Sequence, residues 1–185
     1  MPAPKIAIAG KMAAGKSYLA AGLQDTMGFE IYSLAGKVKD IAYDLFKMDP
    51  EHKDRPLLQG IGMKMRELQP DVWINYILEE AKKSTHPVVC DDVRFVNEAK
   101  QFKEAGWILI KIDIDDDLQL SRLQSTYPDN WNNHWSNRDD PSEAEVNQIP
   151  EDLFDLILTA SNDDIPFGDL MTFIWEDESM LRFTN

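Results

Sequence analysis

The feature that most constrains this chain is a glycine-rich segment directly after a short apolar run. Residues 5–9 (KIAIA) have the pattern of a buried strand, and residues 10–17 (GKMAAGKS) match GxxxxGK[ST] in full. Residues 16–23 favour a helix, so the segment lies between a strand and a helix. Such a loop folds around an anion, because its N–H groups turn inward and the helix adds its positive dipole end. The sequence therefore predicts a triphosphate-binding loop.

Two side chains of this loop carry its predicted chemistry. Lys16 would reach the β- and γ-phosphates of ATP, and the Ser17 hydroxyl would coordinate Mg²⁺. The predicted ATP-binding residues are Gly10, Lys11, Met12, Ala13, Ala14, Gly15, Lys16, Ser17 and Tyr18. The guanine-reading pattern NKxD of the GTPases is absent from the sequence, and motor and packaging ATPases are usually longer chains. A small phosphotransferase is the class that remains.

The rest of the chain alternates predicted strands with predicted helices. Further strands are expected at residues 29–33, 86–90, 107–114 and 155–159, and further helices at residues 37–46, 57–67, 72–83, 97–105 and 118–123. This order predicts an α/β fold in which helices cover both faces of a parallel sheet. The 185 residues contain no internal repeat and no linker-like tract, so we expect a single domain.

The net charge of −14 is distributed unevenly along the sequence. Residues 1–110 carry 15 Lys/Arg and 15 Asp/Glu, whereas residues 111–185 carry 4 and 18. So acidic a surface repels a phosphodiester backbone, which argues against polymeric nucleic acid as a partner. The single cysteine, Cys90, cannot form an internal disulfide, and we find no signal peptide or membrane-spanning run. We therefore expect a cytoplasmic protein without a membrane partner.

A second group of polar residues follows the strand expected at residues 86–90. Ligands bind at the carboxyl edge of a parallel sheet, so a carboxylate here can serve Mg²⁺. Asp92 is the predicted magnesium residue, with Asp91 as the alternative, and either could instead cap the next helix. Arg94 can make a bidentate contact with a phosphate. Asn97 and Glu98 could orient Arg94, or they could simply begin the next helix, where a negative charge is favourable.

Several segments together give the chain a family resemblance. They are the glycine-rich loop, residues 34–46 (LAGKVKDIAYDLF), 55–66 (RPLLQGIGMKMR), 70–73 (PDVW), 92–98 (DVRFVNE), 141–143 (PSE) and 154–157 (FDLI). In this order they resemble the phage-type deoxynucleoside monophosphate kinases, and animal phosphomevalonate kinases are similar around the loop and the Asp-x-Arg element. The resemblance implies a three-layer P-loop kinase fold. It has a core (residues 1–36, 84–124 and 151–185), a helical monophosphate-binding insert (about 37–83) and a lid (about 125–150).

The resemblance also implies where the acceptor nucleotide binds. The implied substrate-binding residues are Lys37, Gln59, Arg66, Asp71, Trp73, Arg94, Asn97, Glu98 and Glu143. Arg66 would contact the phosphate of the acceptor, and Gln59 would hydrogen-bond an edge of its base. Trp73 would stack on the base or wall the pocket, although its helical spacing with Ile77 equally predicts a core residue.

Two arginines flank or lie in the expected lid, within the acidic third of the chain. Lids of this kind bring arginines over the transferring phosphoryl group, so Arg122 and Arg138 join Lys16, Asp92 and Arg94 as the predicted catalytic residues. Asp139 and Asp140 could instead neutralise Arg138.

The function expected from the sequence is transfer of the γ-phosphoryl group of ATP, with Mg²⁺, to a (deoxy)nucleoside monophosphate. The product would be the diphosphate, and the protein would be a monomer or homodimer with small-molecule substrates. Two alternatives stay open. One is a small-metabolite kinase of the phosphomevalonate or dephospho-coenzyme A type. The other is a non-catalytic regulatory module that binds ATP.

Overall fold

The computed structural model describes residues 3–52, 54–136, 144–161 and 167–176. Within them, five parallel strands form one sheet in the order β2-β3-β1-β4-β5. The strands are β1 (Lys5–Gly10), β2 (Glu30–Tyr32), β3 (Val88–Val93), β4 (Ile108–Asp113) and β5 (Leu156–Thr159). The central strand β1 is apolar and buried throughout residues 6–9, as expected for a strand covered on both faces.

Helices follow the strands in the described part of the chain. They are α1 (Lys16–Met27), α2 (Leu34–Phe46), α3 (Arg55–Leu68), α4 (Val72–Lys83), α5 (Val96–Glu104), α6 (Asp116–Thr126), α7 (Trp131–Ser136) and α8 (Phe167–Glu176). Two 3-10 helices, Glu145–Gln148 and Glu151–Leu153, precede β5. None of the helices in these residues is both long and apolar enough to span a bilayer.

Alternation along the strands divides the core into two layers. On one face, Ala7, Val88 and Cys90 pack with helices α2, α4 and α5. On the other face, Ile6, Ile8 and Val89 pack with α1, α6 and α8. Successive strand residues point to opposite faces, so each strand supplies both layers. The structure thus has the three-layer α/β architecture that the sequence predicts.

Several boundaries differ from the sequence expectation by one to three residues, and the differences in two regions matter most. Strand β3 covers Val88–Val93 rather than residues 86–90, which brings Asp91 and Asp92 into the end of the strand. The expected loop at residues 125–150 contains α7 and a 3-10 helix. Its Asn- and Pro-rich composition is typical of a loop, but His134 is buried and its ring lies 4.4 Å from that of Tyr127. Packing therefore overrides composition there.

Candidate active site

The glycine-rich loop, residues 10–17, joins β1 to α1 at the carboxyl edge of the sheet. Three of its residues have positive φ: Gly10 at +154°, Ala13 at +62° and Gly15 at +109°. A Cβ atom on Gly10 would lie only 2.8 Å from the Ile112 carbonyl oxygen, so the neighbouring strand β4 requires a glycine there. Left-handed residues alternating with ordinary ones form the concave backbone that binds phosphates.

Lys16 holds the two ends of this loop together. Its Nζ donates hydrogen bonds to the carbonyl oxygens of Gly10, at 2.7 Å, and Lys11, at 2.8 Å. The side chain is 9% exposed. A cationic donor held inside the loop is placed to meet the anion that the loop encloses.

Helix α6 supports the loop from outside. Gln119 Nε2 donates to the Met12 carbonyl at 3.0 Å. Arg122 Nη1 lies 3.1 Å from the carbonyl oxygens of both Ala13 and Ala14, and its Nη2 lies 2.9 Å from that of Ser161. The structure therefore places Arg122 against carbonyl oxygens of the loop, and its predicted catalytic role stays a prediction. The contact from Gln119 has no counterpart in the sequence analysis.

The end of β3 separates the two neighbouring aspartates. Ser17 Oγ donates to Asp91 Oδ2 at 2.7 Å, whereas Asp92 Oδ1 accepts from Arg94 Nε at 2.7 Å. Strand alternation explains this division, because Asp91 shares a face with Val89, and Val89 packs on the layer of α1. The carboxylate beside the loop serine is thus Asp91, the alternative in the sequence analysis.

The Ser17–Asp91 pair fits a magnesium ion in its chemistry. A hydroxyl and a carboxylate are hard oxygen ligands, which Mg²⁺ prefers. In the part of the chain that the structure describes, no group of three or more His, Cys, Asp or Glu residues could hold a metal alone. A magnesium ion at Ser17 would therefore complete its shell with phosphate oxygens and water, as is usual for this ion.

A second concave region opens beside the end of β3, and it is here named the acceptor cleft after the role that the resemblance implies for some of its residues. Its volume is about 540 Å³, and its lining residues are Arg66, Pro70, Asp71, Phe95, Val96, Asn97, Lys100 and Glu145. Asp71 and Asn97 contact each other in its lining, where Asn97 Nδ2 donates to Asp71 Oδ1 at 2.7 Å. Arg66, Asp71 and Asn97, which the resemblance implied, are thus brought together from α3, the start of α4 and α5.

Five residues that line the cleft are absent from the predicted site residues: Pro70, Phe95, Val96, Lys100 and Glu145. Lys100 lies three residues after Asn97 on α5, so helical spacing could have placed both on one face. Glu145 accepts from the Val96 backbone N–H at 3.3 Å, which ties the 3-10 helix before β5 to the start of α5. No local pattern marks that long-range contact.

Arg66 is held at the edge of the cleft by two groups. Its Nη2 donates to Glu98 Oε1 at 3.0 Å, and its guanidinium carbon lies 4.6 Å from the centroid of the Phe95 ring. Glu98 is 2% exposed. Burial raises the pKa of Glu98 above its ordinary value of 4.5, although backbone N–H groups and Arg66 act in the opposite direction. Glu98 thus lies behind Arg66, outside the lining of the cleft.

The remaining predicted site residues lie elsewhere or outside the described ranges. Trp73 is a core residue, 3% exposed, and its Nε1 donates to the Gly62 carbonyl at 3.1 Å. This burial corrects its implied place on the base. Gln59 is exposed on α3 and is not among the residues that line the cleft. Lys37 lies 5.4 Å from the Tyr76 ring centroid and 3.8 Å from Asp40.

Three further predicted residues lie on α1 or outside the described ranges. Tyr18 is 61% exposed on α1, after the loop. Arg138 and Glu143, predicted for the lid and the acceptor, lie outside the described residues.

Comparisons with known proteins support the fold. No protein-family model matches the chain, and no curated protein matches it. An uncharacterised protein from Eubacterium ventriosum is similar at 14% identity with a TM-score of 0.59, covering 94% of this chain and 98% of that one. A shikimate kinase from Bacteroides thetaiotaomicron is similar at 10% identity and TM-score 0.57, covering 94% and 97%. A gluconokinase from Sinorhizobium meliloti is similar at 9% identity and TM-score 0.54, covering 95% and 97%.

The fold is that of the small P-loop kinases. At identities this low the likeness concerns the fold, and function has to be argued from the site itself.

Proposed function

We propose that the protein is an ATP- and Mg²⁺-dependent kinase that phosphorylates a (deoxy)nucleoside monophosphate. One observation carries the proposal: residues 91–98, from the end of β3 to the first turn of α5, contact both the phosphate loop and Arg66 of the acceptor cleft. Asp91 contacts Ser17 of the loop, and Glu98 contacts Arg66 of the cleft. The two proposed anion sites therefore contact one short segment of chain, which suits the fixed relative placement that transfer between two bound phosphates requires.

Each site would hold one of the two substrates. The loop and Lys16 would bind the phosphates of ATP, and Arg66 would bind the phosphate of the acceptor. A bound Mg²⁺ ion, held by Ser17 and Asp91, would neutralise charge on the phosphates of ATP. Arg94, fixed through Nε by Asp92, is the second arginine proposed to contact a phosphate.

The chemical step needs little from the protein beyond placement and charge. An oxygen of the acceptor phosphate would attack the γ-phosphorus of ATP in line. The bond from that phosphorus to the β–γ bridging oxygen would break, leaving ADP. The acceptor phosphate is already ionised at neutral pH, so no general base is needed, and none of the described residues that line the cleft is a histidine.

The size and lining of the cleft support a nucleotide as the acceptor. A volume of about 540 Å³ lies within the range of about 300–1,000 Å³ typical of small-ligand sites. Arg66 and Lys100 supply positive charge for a phosphate, while Phe95 offers apolar surface. The Asp71–Asn97 pair supplies hydrogen-bonding groups for the rest of the acceptor.

The test is acceptor-dependent release of ADP from ATP and Mg²⁺. The panel contains all common ribo- and deoxyribonucleoside monophosphates. Lys16→Ala is the inactivating variant, and Lys64→Ala is its matched control, because Lys64 is an exposed lysine paired with Glu67 on α3. We expect at least one nucleotide to stimulate ADP release in the wild type and in Lys64→Ala but not in Lys16→Ala. ATP binding without stimulation by any nucleotide would overturn the proposal.

A small-metabolite kinase is the second candidate, favoured by the carboxylates in the cleft. Asp71 and Glu145 lie in the same cleft as Arg66, and carboxylates accept hydrogen bonds from hydroxyl groups as well as from base amines. Phosphomevalonate, dephospho-coenzyme A, shikimate and gluconate therefore join the panel. Stimulation by one of these alone would select this candidate, and ATP binding with no active acceptor would select a regulatory module.

A further inference from the structure

Glu98 is a buried carboxylate with more partners than a helix cap requires. Among the residues that the structure describes, it is the one buried acidic side chain. Its Oε2 accepts from the backbone N–H groups of Arg94, at 3.1 Å, and Phe95, at 3.2 Å, and its Oε1 accepts from Arg66 at 3.0 Å. The first two contacts are those of a glutamate in the first turn of a helix. The third reaches a residue on α3, 32 positions earlier in the chain.

Burying this carboxylate costs free energy, and a favourable interaction must offset that cost. Ionised carboxylates are rarely buried without a cationic partner. Burial also raises the pKa of Glu98, which shows that its environment disfavours the charged form. A glutamate acting only as a cap could lie at the surface, where one oxygen would face water.

The contact fixes Arg66 in one orientation. Glu98 binds one terminal nitrogen of the guanidinium, and the Phe95 ring lies 4.6 Å from its central carbon. A hydrogen bond at one edge and a ring on one face together define the plane of the guanidinium. The side chain remains 31% exposed at the cleft, so it is accessible to an anion while already oriented.

We propose that Glu98 is a positioning residue for the acceptor phosphate. It does not touch the substrate. One of its oxygens holds the Arg66 side chain, and the other accepts from the backbone N–H groups of Arg94 and Phe95, so Glu98 fixes Arg66 of α3 relative to the start of α5. An arginine side chain that is already oriented loses less conformational entropy when it binds an anion. This inference rests on the proposed function, which assigns the acceptor phosphate to Arg66.

The first test is a set of variants assayed with the most active acceptor of the panel. Glu98→Gln keeps the shape of the side chain but removes its charge, and we expect it to raise the KM for the acceptor about tenfold or more. The KM for ATP should stay within about twofold, since the loop does not contact Glu98. Glu98→Asp should recover part of the loss. Glu67→Gln, which removes an exposed carboxylate on α3, should change neither constant.

The double variant separates positioning from general destabilisation. In an Arg66→Ala background, Glu98→Gln should add little to the acceptor KM, because Arg66 is the group through which Glu98 acts. A full additional increase in that background would overturn the proposal, and so would an unchanged acceptor KM in Glu98→Gln alone.

The second test needs neither turnover nor a substitution at Glu98. In wild-type protein without ligand, the ¹⁵N relaxation of the Arg66 Nε–H group should show a rigid side chain, and Arg66→Lys identifies its signal. Inorganic phosphate should shift that signal. A flexible Arg66 would overturn the proposal even if the Glu98 variants fail to fold. A rigid, phosphate-responsive Arg66 in a protein that no acceptor stimulates would support positioning while rejecting the kinase.

Discussion

The phosphate loop and the acceptor cleft are built in different ways. The loop is eight consecutive residues, and most of the contacts that hold it end on backbone carbonyl oxygens, from Lys16, Gln119 and Arg122. The cleft is formed by side chains of separate elements, paired as Arg66 with Glu98 and Asp71 with Asn97. A backbone site depends on chain conformation, whereas a side-chain site depends on the identity of each partner.

This difference has a functional consequence. Under the proposed function, the loop binds the triphosphate that all such kinases share, which a fixed backbone cradle does well. The acceptor differs from one kinase to another, and side chains can change without disturbing the sheet that carries them. Substitutions in the two regions should therefore separate into effects on ATP and effects on the acceptor.

The largest expected effect distinguishes the two aspartates at the end of β3. Asp91→Asn should lower kcat about a hundredfold and raise the Mg²⁺ concentration needed for half-maximal activity, because Asp91 contacts Ser17. Asp92→Asn is the matched variant, since Asp92 contacts Arg94 instead. It should leave the Mg²⁺ requirement nearly unchanged. A Mg²⁺ titration of both variants is the measurement, and the reverse result would return the magnesium role to Asp92.

A smaller effect is expected when the outer support of the loop is removed. Arg122→Gln removes the guanidinium that donates to the Ala13, Ala14 and Ser161 carbonyls. The KM for ATP should rise roughly tenfold, and the free energy of unfolding should fall by about 1–3 kcal/mol. The KM for the acceptor should not change. Steady-state kinetics and urea unfolding measure both. A selective loss of kcat with normal ATP binding would instead support the catalytic role predicted from the sequence.

The smallest effect is a pH dependence of stability. Burial raises the pKa of Glu98 in the folded state above 4.5, so the folded protein holds its proton more tightly than the unfolded chain does. The contribution of Glu98 to the free energy of unfolding therefore decreases as the pH rises from about 4.5 through the folded-state pKa. The slope cannot exceed about 1.4 kcal/mol per pH unit. Urea unfolding at several pH values, compared with Glu98→Gln, isolates this slope, and identical slopes would contradict the raised pKa.

The sequence predicted the loop and the sheet because their signals are local. The GxxxxGK[ST] pattern is contiguous, and the alternation of strands and helices follows from short-range apolar periodicity. The choice between Asp91 and Asp92 depends on which face of β3 lies against α1. That face could have been inferred from strand alternation only after the helices were assigned to the two layers.

The side-chain contacts of the cleft could not be predicted in the same way. Glu98 and Arg66 are ordinary charged residues on two helices, 32 positions apart. No sequence pattern in either helix predicts that these two side chains pair. Gln119 is 107 positions from the loop carbonyl that it contacts. For Trp73 the structure agrees with the core position that its helical spacing with Ile77 predicts, since the side chain is buried and donates to the Gly62 carbonyl.

The central claim is that the loop binds ATP and the Arg66 cleft binds the acceptor phosphate. The most direct test measures both KM values for Arg66→Gln with the most active acceptor. We expect the KM for the acceptor to rise about ten- to a hundredfold, because a charged hydrogen-bond donor is lost. The KM for ATP should stay within about twofold. An ATP KM that rises as much as the acceptor KM, or an acceptor KM that does not change, would contradict the claim.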